Sequence, residues 1–138
     1  MQPDSKTSAS RRILIVEDDE FLIMDLELTL AATGYETVSA ATTEEAFKRM
    51  EEYSLDGALL DVNLTGGGRS LSVADALVAA SIPFAFMTGR SRSYLPERFQ
   101  RARIIAKPYR LEDVLDALAE IIASPPIRPD PHAGRGPR

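Results

Sequence analysis

The 138-residue chain has no cysteine, no tryptophan and one histidine, His132. The missing cysteines exclude disulfides, thiolate catalysis and cysteine-ligated zinc, and they suit a reducing compartment. A lone histidine in a proline-rich stretch excludes histidine triads and histidine metal clusters. Long hydrophobic runs are absent too: none approaches the roughly 18 apolar residues of a membrane span. The apolar run after Arg11-Arg12 is broken by Glu17-Asp18-Asp19, which argues against a signal peptide. No basic stripe stands out and the formal net charge is −5, so composition gives no support to nucleic-acid binding. The expectation is a cytoplasmic protein with neither membrane nor nucleic acid as partner.

Hydrophobic residues are 44% and charged residues 27%, as in an ordinary globular domain. Residues 1–10 are polar and aperiodic and are expected to be a flexible N-terminus. Residues 124–138 are proline-rich and are expected to be a disordered tail. Residues 11–123 then make one domain.

That domain alternates two patterns. Ile13-Leu14-Ile15-Val16 is a short β-branched run, the mark of a strand buried on both faces. Phe21, Leu22, Met24, Leu26, Leu28 and Leu30 follow at helical spacing, with Gly34 as a stop. Further strands are expected at 36–40, 58–62, 84–87 and 103–106, with a turn at Asp56-Gly57. Thr42 and Glu45 suggest a capping box. Helices are expected around Ala46 to Met50, around Leu71 to Val78, and from Leu111 to Ile122. Between Gly89 and Arg103 the chain is rich in Arg and Ser, which predicts a short or mobile fourth helix, with a short helical piece at 96–100. Five strand–helix repeats imply an α/β fold: a doubly wound five-stranded parallel sheet with helices on both faces. Tyr94 and Tyr109 read as part-core aromatics. Gly66-Gly67-Gly68 is a loop but no P-loop, since no Gly-Lys-Ser/Thr follows.

In such a sheet, ligands bind at the carboxyl ends of the strands. Those ends carry Glu17, Asp18 and Asp19, then Asp61, Thr88 and Lys107. Three carboxylates at close range raise one another's pKa unless a cation intervenes. A hard ion such as Mg²⁺ suits them, with Asp18 and Asp61 as direct ligands, Glu17 acting through water and the backbone carbonyl of Asn63 adding another oxygen. An Asp61 oxygen can then attack phosphorus in line. Lys107 and the Thr88 hydroxyl suit the phosphoryl oxygens. Pro108 restricts Lys107, and a cis Lys107–Pro108 bond is inferred.

The set Ile-Val-Glu17-Asp18-Asp19, Leu-Leu-Asp61-Val-Asn63-Leu, Met-Thr88-Gly and Ala-Lys107-Pro108-Tyr resembles the receiver domain of bacterial two-component response regulators, over about residues 11–123. The resemblance implies a flavodoxin-like sheet of order 2-1-3-4-5. It implies a phosphoprotein of phosphorelay signalling, whose Asp61 takes a phosphoryl group from a sensor histidine kinase and whose Asp18 binds Mg²⁺. Thr88 and Lys107 match the family's switch hydroxyl and lysine. Such a domain is not an enzyme acting on other molecules; it catalyses only its own phosphorylation and dephosphorylation.

The stretch from Pro83 to Arg90 also resembles the alphaproteobacterial single-domain regulators marked by Phe-Ala-Thr-Gly-x-Tyr, with Met87 in place of alanine and Ser91 in place of tyrosine. Ile104 stands where many receivers carry an aromatic, so an aromatic rotamer switch there is not expected. Arg90, two residues past Thr88, is expected to modulate phosphate lifetime. With no output domain expected, the switch acts through a downstream protein or a phosphotransfer protein. The alternatives are a phosphate sink for a shared kinase, a docking module that is never phosphorylated, and a Mg²⁺-dependent phosphohydrolase. The hydrolase would need a second acid where the chain has Asn63, and a cap for which there is no room.

Overall fold

A computed structural model describes residues 10–64 and 70–123. The expected tail at 124–138, the Gly66–Gly68 loop and all but Ser10 of the expected flexible N-terminus lie outside the described residues.

The apolar runs form five strands: β1 (Arg12–Val16), β2 (Glu36–Ala40), β3 (Gly57–Asp61), β4 (Phe84–Thr88) and β5 (Arg103–Ala106). All neighbours pair in parallel, in the order β2-β1-β3-β4-β5. Alternation within β1 serves two cores. Leu14 and Val16 join Val73, Leu77 and Phe86 on one face. Ile13 and Ile15 join Leu26, Leu30, Val114 and Leu118 on the other. Four α-helices supply these partners among the described residues: α1 (Glu20–Ala32), α2 (Thr43–Glu52), α3 (Leu71–Ala79) and α4 (Leu111–Ala123). Helices α1 and α4 cover one face, and α2 and α3 cover the other, as a doubly wound sheet requires. None is long and apolar enough to cross a membrane.

Helix α1 starts where Asp19 caps it. Its Oδ1 accepts the N–H groups of Phe21 at 2.9 Å and Leu22 at 3.4 Å. It stops at Gly34, whose φ of +95° suits glycine. There Gly34 N–H donates to the Ala31 carbonyl and Tyr35 N–H to that of Leu30, the paired bonds of a Schellman ending. The dense apolar pattern of this helix does not mean that all of it is core. Leu26 and Leu30 are buried, whereas Phe21, Met24 and Leu28 are 80%, 54% and 66% exposed. Spacings of three and four residues put those three on one stripe. That stripe lies opposite the face that meets the sheet.

The Thr42–Glu45 cap forms, with Glu45 N–H on Thr42 Oγ1 at 3.1 Å. The Glu45 carboxylate reaches back to the N–H of Ala41 rather than that of Thr42, at 2.8 Å. Gly57 is not a free turn residue. It opens β3, buried, and a Cβ there would sit 3.3 Å from Ile13 Cδ1.

The connection from β4 to β5 departs from the regular alternation. It contains no α-helix, only two 3₁₀ turns at Arg92–Tyr94 and Glu97–Phe99. This meets the expectation of a short element. Pro96 between the turns has no N–H to continue a helical ladder. Other bonds hold the segment. Arg92 Nη1 donates to the carbonyls of Gln100 and Ala102 at 2.6 and 2.7 Å. In return, Gln100 Nε2 donates to those of Arg92 and Leu95. Phe99 fills the core in place of a helix face, edge-on to Phe84 and Phe86.

Candidate functional site

The strand order reverses between β1 and β3, and in such sheets the ligand crevice lies beyond the carboxyl ends of the strands at that point. Strand β1 runs directly into Glu17 and Asp18, and β3 ends at Asp61. One ligand oxygen from each of these three carboxylates lies within 4.8 Å of the others. Glu17 is 1% and Asp61 8% exposed, a costly setting for acids.

Lys107 supplies the compensating charge. Its Nζ lies 3.2 Å from Asp61 Oδ2 and 3.4 Å from Glu17 Oε1. Burial alone would lower the lysine pKa, but Asp61 and Glu17 together outweigh it and raise it. Glu17 is pushed up from 4.5 to about 7, first by burial and then by the Asp61 charge. Its other oxygen accepts the N–H of Asp19 at 3.1 Å. Asp61 Oδ1 accepts the N–H of Asn63 at 3.3 Å. Lys107 is anchored by its backbone, because its N–H donates to the Thr88 carbonyl at 2.8 Å. The bond that follows, Lys107–Pro108, is cis, as inferred.

Glu17, Asp18, Asp61 and Lys107 are therefore gathered into one cluster. Thr88 is buried at the adjoining end of β4. Its Oγ1 accepts the N–H of Arg90 at 3.0 Å, which leaves its own proton to donate. Asn63 and Arg90 meet Thr88 around a cavity of about 310 Å³ that Val62, Ser91, Tyr94 and Leu95 also line. Ile104 pairs with Phe86 and packs against the core of the α2–α3 side.

Two aromatics are better defined here than in the sequence. Tyr109 packs partly buried as expected, but its hydroxyl is enclosed with no hydrogen-bond partner among the described residues. Burial raises its pKa, against the lowering by Lys107. Tyr94 is not a part-core residue. It is 62% exposed, and the Arg90 guanidinium stacks 4.7 Å from its ring centroid. The four-residue spacing of Arg90 and Tyr94 was the only hint of this pairing.

Residues 13–119 match the family model described as the response regulator receiver domain. The chain is 30% identical over 122 residues to the transcriptional regulatory protein PdtaR of Mycobacterium tuberculosis, an alignment covering 83% of this chain and 58% of that protein. The chain thus spans little more than half the length of this curated relative. Its structure resembles that of SdrG from Sphingomonas melonis, with a TM-score of 0.71 and 40% identity over 83% of this chain and 98% of that one. It also resembles the response regulator PhyR from Brucella abortus, with a TM-score of 0.69 and 25% identity over 87% of this chain and 51% of that one. Sheet order, the acidic crevice with its lysine, and these matches agree: the chain belongs to the response regulator receiver domain family.

Proposed function

We propose that the chain acts as a response regulator receiver whose Asp61 accepts a phosphoryl group from the phosphohistidine of a sensor histidine kinase. The contact of Lys107 Nζ with Asp61 Oδ2 beside the acidic cluster carries this reading. An Asp61 oxygen forms the new bond to phosphorus, the P–N bond to the donor imidazole breaks, and the imidazole leaves with the bonding pair. Lys107 stays with the transferred oxygens, and the Thr88 proton is available to another. Glu17, Asp18 and Asp61 are hard oxygen donors at the right separation to hold Mg²⁺, with the Asn63 carbonyl as a further ligand. When bound, the ion would neutralise charge on the transferring group. The phosphoryl group adds about −1.5 to −2 charge. Drawing Thr88 and Lys107 towards it reshapes the β4–β5 face that a downstream protein or a phosphotransfer protein reads. Arg90 modulates the lifetime of the group, and with Ile104 in place of an aromatic the mark is read without an aromatic rotamer switch.

Docking of the kinase is supported by the exposed stripe of Phe21, Met24 and Leu28. It begins two residues after the Asp19 cap, so an apolar helix face stands beside the phosphoryl pocket. Helix-against-helix recognition needs such a row of anchors at three- and four-residue spacing.

The test is incubation with Mg²⁺ and either an acyl phosphate or a phosphorylated kinase. Acid-labile phosphate is expected on the wild type and not on Asp61→Asn. Equal labelling of both would overturn the assignment, and turnover of free phosphoesters would favour a hydrolase. Capture of a partner only after phosphorylation would separate an effector-binding switch from a phosphate sink.

A further inference from the structure

The cavity beside the acidic crevice has an unusual wall. Buried Val62, Thr88 and Leu95 line it together with exposed Asn63, Arg90 and Tyr94. Arg90 is tied to this place by its backbone bond to Thr88 Oγ1. Its guanidinium, however, lies over the Tyr94 ring, 4.7 Å from the centroid. The ring is exposed but not loose. Tyr94 N–H bonds to the Ser91 carbonyl at 3.1 Å, and the turn that carries it is clasped by Arg92 and Gln100. A tyrosine 62% open to solvent gives little to the core. Its contact with a guanidinium at a cavity mouth needs another account.

We propose that Tyr94 is a positioning residue for Arg90: the ring holds the guanidinium at the cavity mouth while Asp61 is unmodified, and yields it once Asp61 carries a phosphoryl group. This rests on the reading of Asp61 as phosphoryl acceptor. The two holds differ in strength. An exposed cation–π contact shifts an equilibrium by about two- to fivefold. A guanidinium paired to phosphoryl oxygens makes charge-assisted, two-pronged bonds and outcompetes it. A guanidinium drawn inwards occupies the cavity through which water reaches phosphorus. Hydrolysis forms a bond from water oxygen to phosphorus and breaks the bond to the Asp61 oxygen. The carboxylate is restored as the anion, and both protons of the water leave with inorganic phosphate. Arg90 over the phosphoryl group slows that step, and Tyr94 limits how often Arg90 is there.

The test measures loss of acid-labile phosphate from the full chain carrying Tyr94→Trp, Tyr94→Phe or Tyr94→Leu, each with Arg90 and with Arg90→Gln. Indole, the strongest cation–π ring, should speed hydrolysis, phenyl should leave it near the wild type, and leucine should slow it by about two- to fivefold. Arg90→Gln should speed hydrolysis and erase the differences among the three. Trp and Leu acting in the same direction, or differences that persist with Arg90→Gln, would overturn the proposal. So would an effect of Arg90→Gln with none from Tyr94, which would leave the role of Arg90 standing. NMR of the Arg90 side-chain protons gives a second reading. The ring should shift them upfield in the unphosphorylated protein, Tyr94→Leu should abolish the shift, and phosphorylation should reduce it. An unshifted Arg90 before phosphorylation counts against the proposal whatever the state of Asp61.

Discussion

Lys107 Nζ lies between two buried carboxylates, 3.2 Å from Asp61 Oδ2 and 3.4 Å from Glu17 Oε1, although 46 and 90 residues separate them in the chain. The ammonium is the compensating charge for a cluster that would otherwise repel itself. Lys107→Met should destabilise the unmodified protein by on the order of 1 kcal/mol near neutral pH, since the lysine is partly exposed and its pairs are screened. The loss should shrink towards pH 5, where Glu17 is neutral. Urea denaturation at the two pH values checks this, and an equal loss at both would contradict it.

Glu17 gives a pH dependence of opposite sense to that of an ordinary ion-paired acid. Its folded pKa of about 7 lies above the 4.5 expected of the unfolded chain, so between those values the native state holds the extra proton. Stability without metal should therefore fall as pH rises from about 4.5 to about 7. Glu17→Gln should flatten that slope. Mg²⁺ needs the ionised form, so its stabilising effect should grow over the same interval. Thermal melts with and without Mg²⁺ at pH 5.5 and 8 measure both.

The apolar stripe on α1 separates docking from chemistry. Phe21→Ser with Met24→Ser should leave the melting temperature nearly unchanged, because both side chains face solvent. Phosphotransfer from a kinase that labels the wild type should slow tenfold or more, at about 1.4 kcal/mol per decade. Labelling by an acyl phosphate should be unaffected. An equal loss with both donors would show damage to the pocket rather than to docking.

Gly34→Ala probes the backbone alone. Among the described residues nothing lies within 4 Å of a Cβ at this position, yet its φ is +95°. The substitution should cost about 1–2 kcal/mol through left-handed strain and leave phosphorylation intact. Chemical denaturation reads the cost; an unchanged midpoint would mean that the helix ends differently in solution.

The strands were legible because a run such as Ile13–Val16 or Ala58–Leu60 leaves few other options for a short, doubly buried segment. The polar residues just past those runs pointed to the crevice once parallel order placed them on one edge. The cap at Thr42 and the stop at Gly34 were equally local and equally readable. Residues 89–103 were readable only in the negative sense: Arg, Ser and Pro96 argued against a full helix. The clasp between Arg92 and Gln100 and the seating of Phe99 between two strand phenylalanines depend on distant partners.

By itself the sequence determined the alternation of elements, the helix caps and the identity of the acids, hydroxyl and lysine at the strand ends. These follow from short-range rules of backbone sterics, side-chain period and hydrogen-bond capping. Only the tertiary structure decided which apolar stripe of α1 is core and which faces solvent. The sequence pattern is apolar around the whole helix, and only the position of the sheet breaks that symmetry. The same holds for the Glu17–Lys107–Asp61 cluster and the stacking of Arg90 on Tyr94. Their energies depend on separations of a few ångströms and on exclusion of water, and neither quantity exists until the chain has folded.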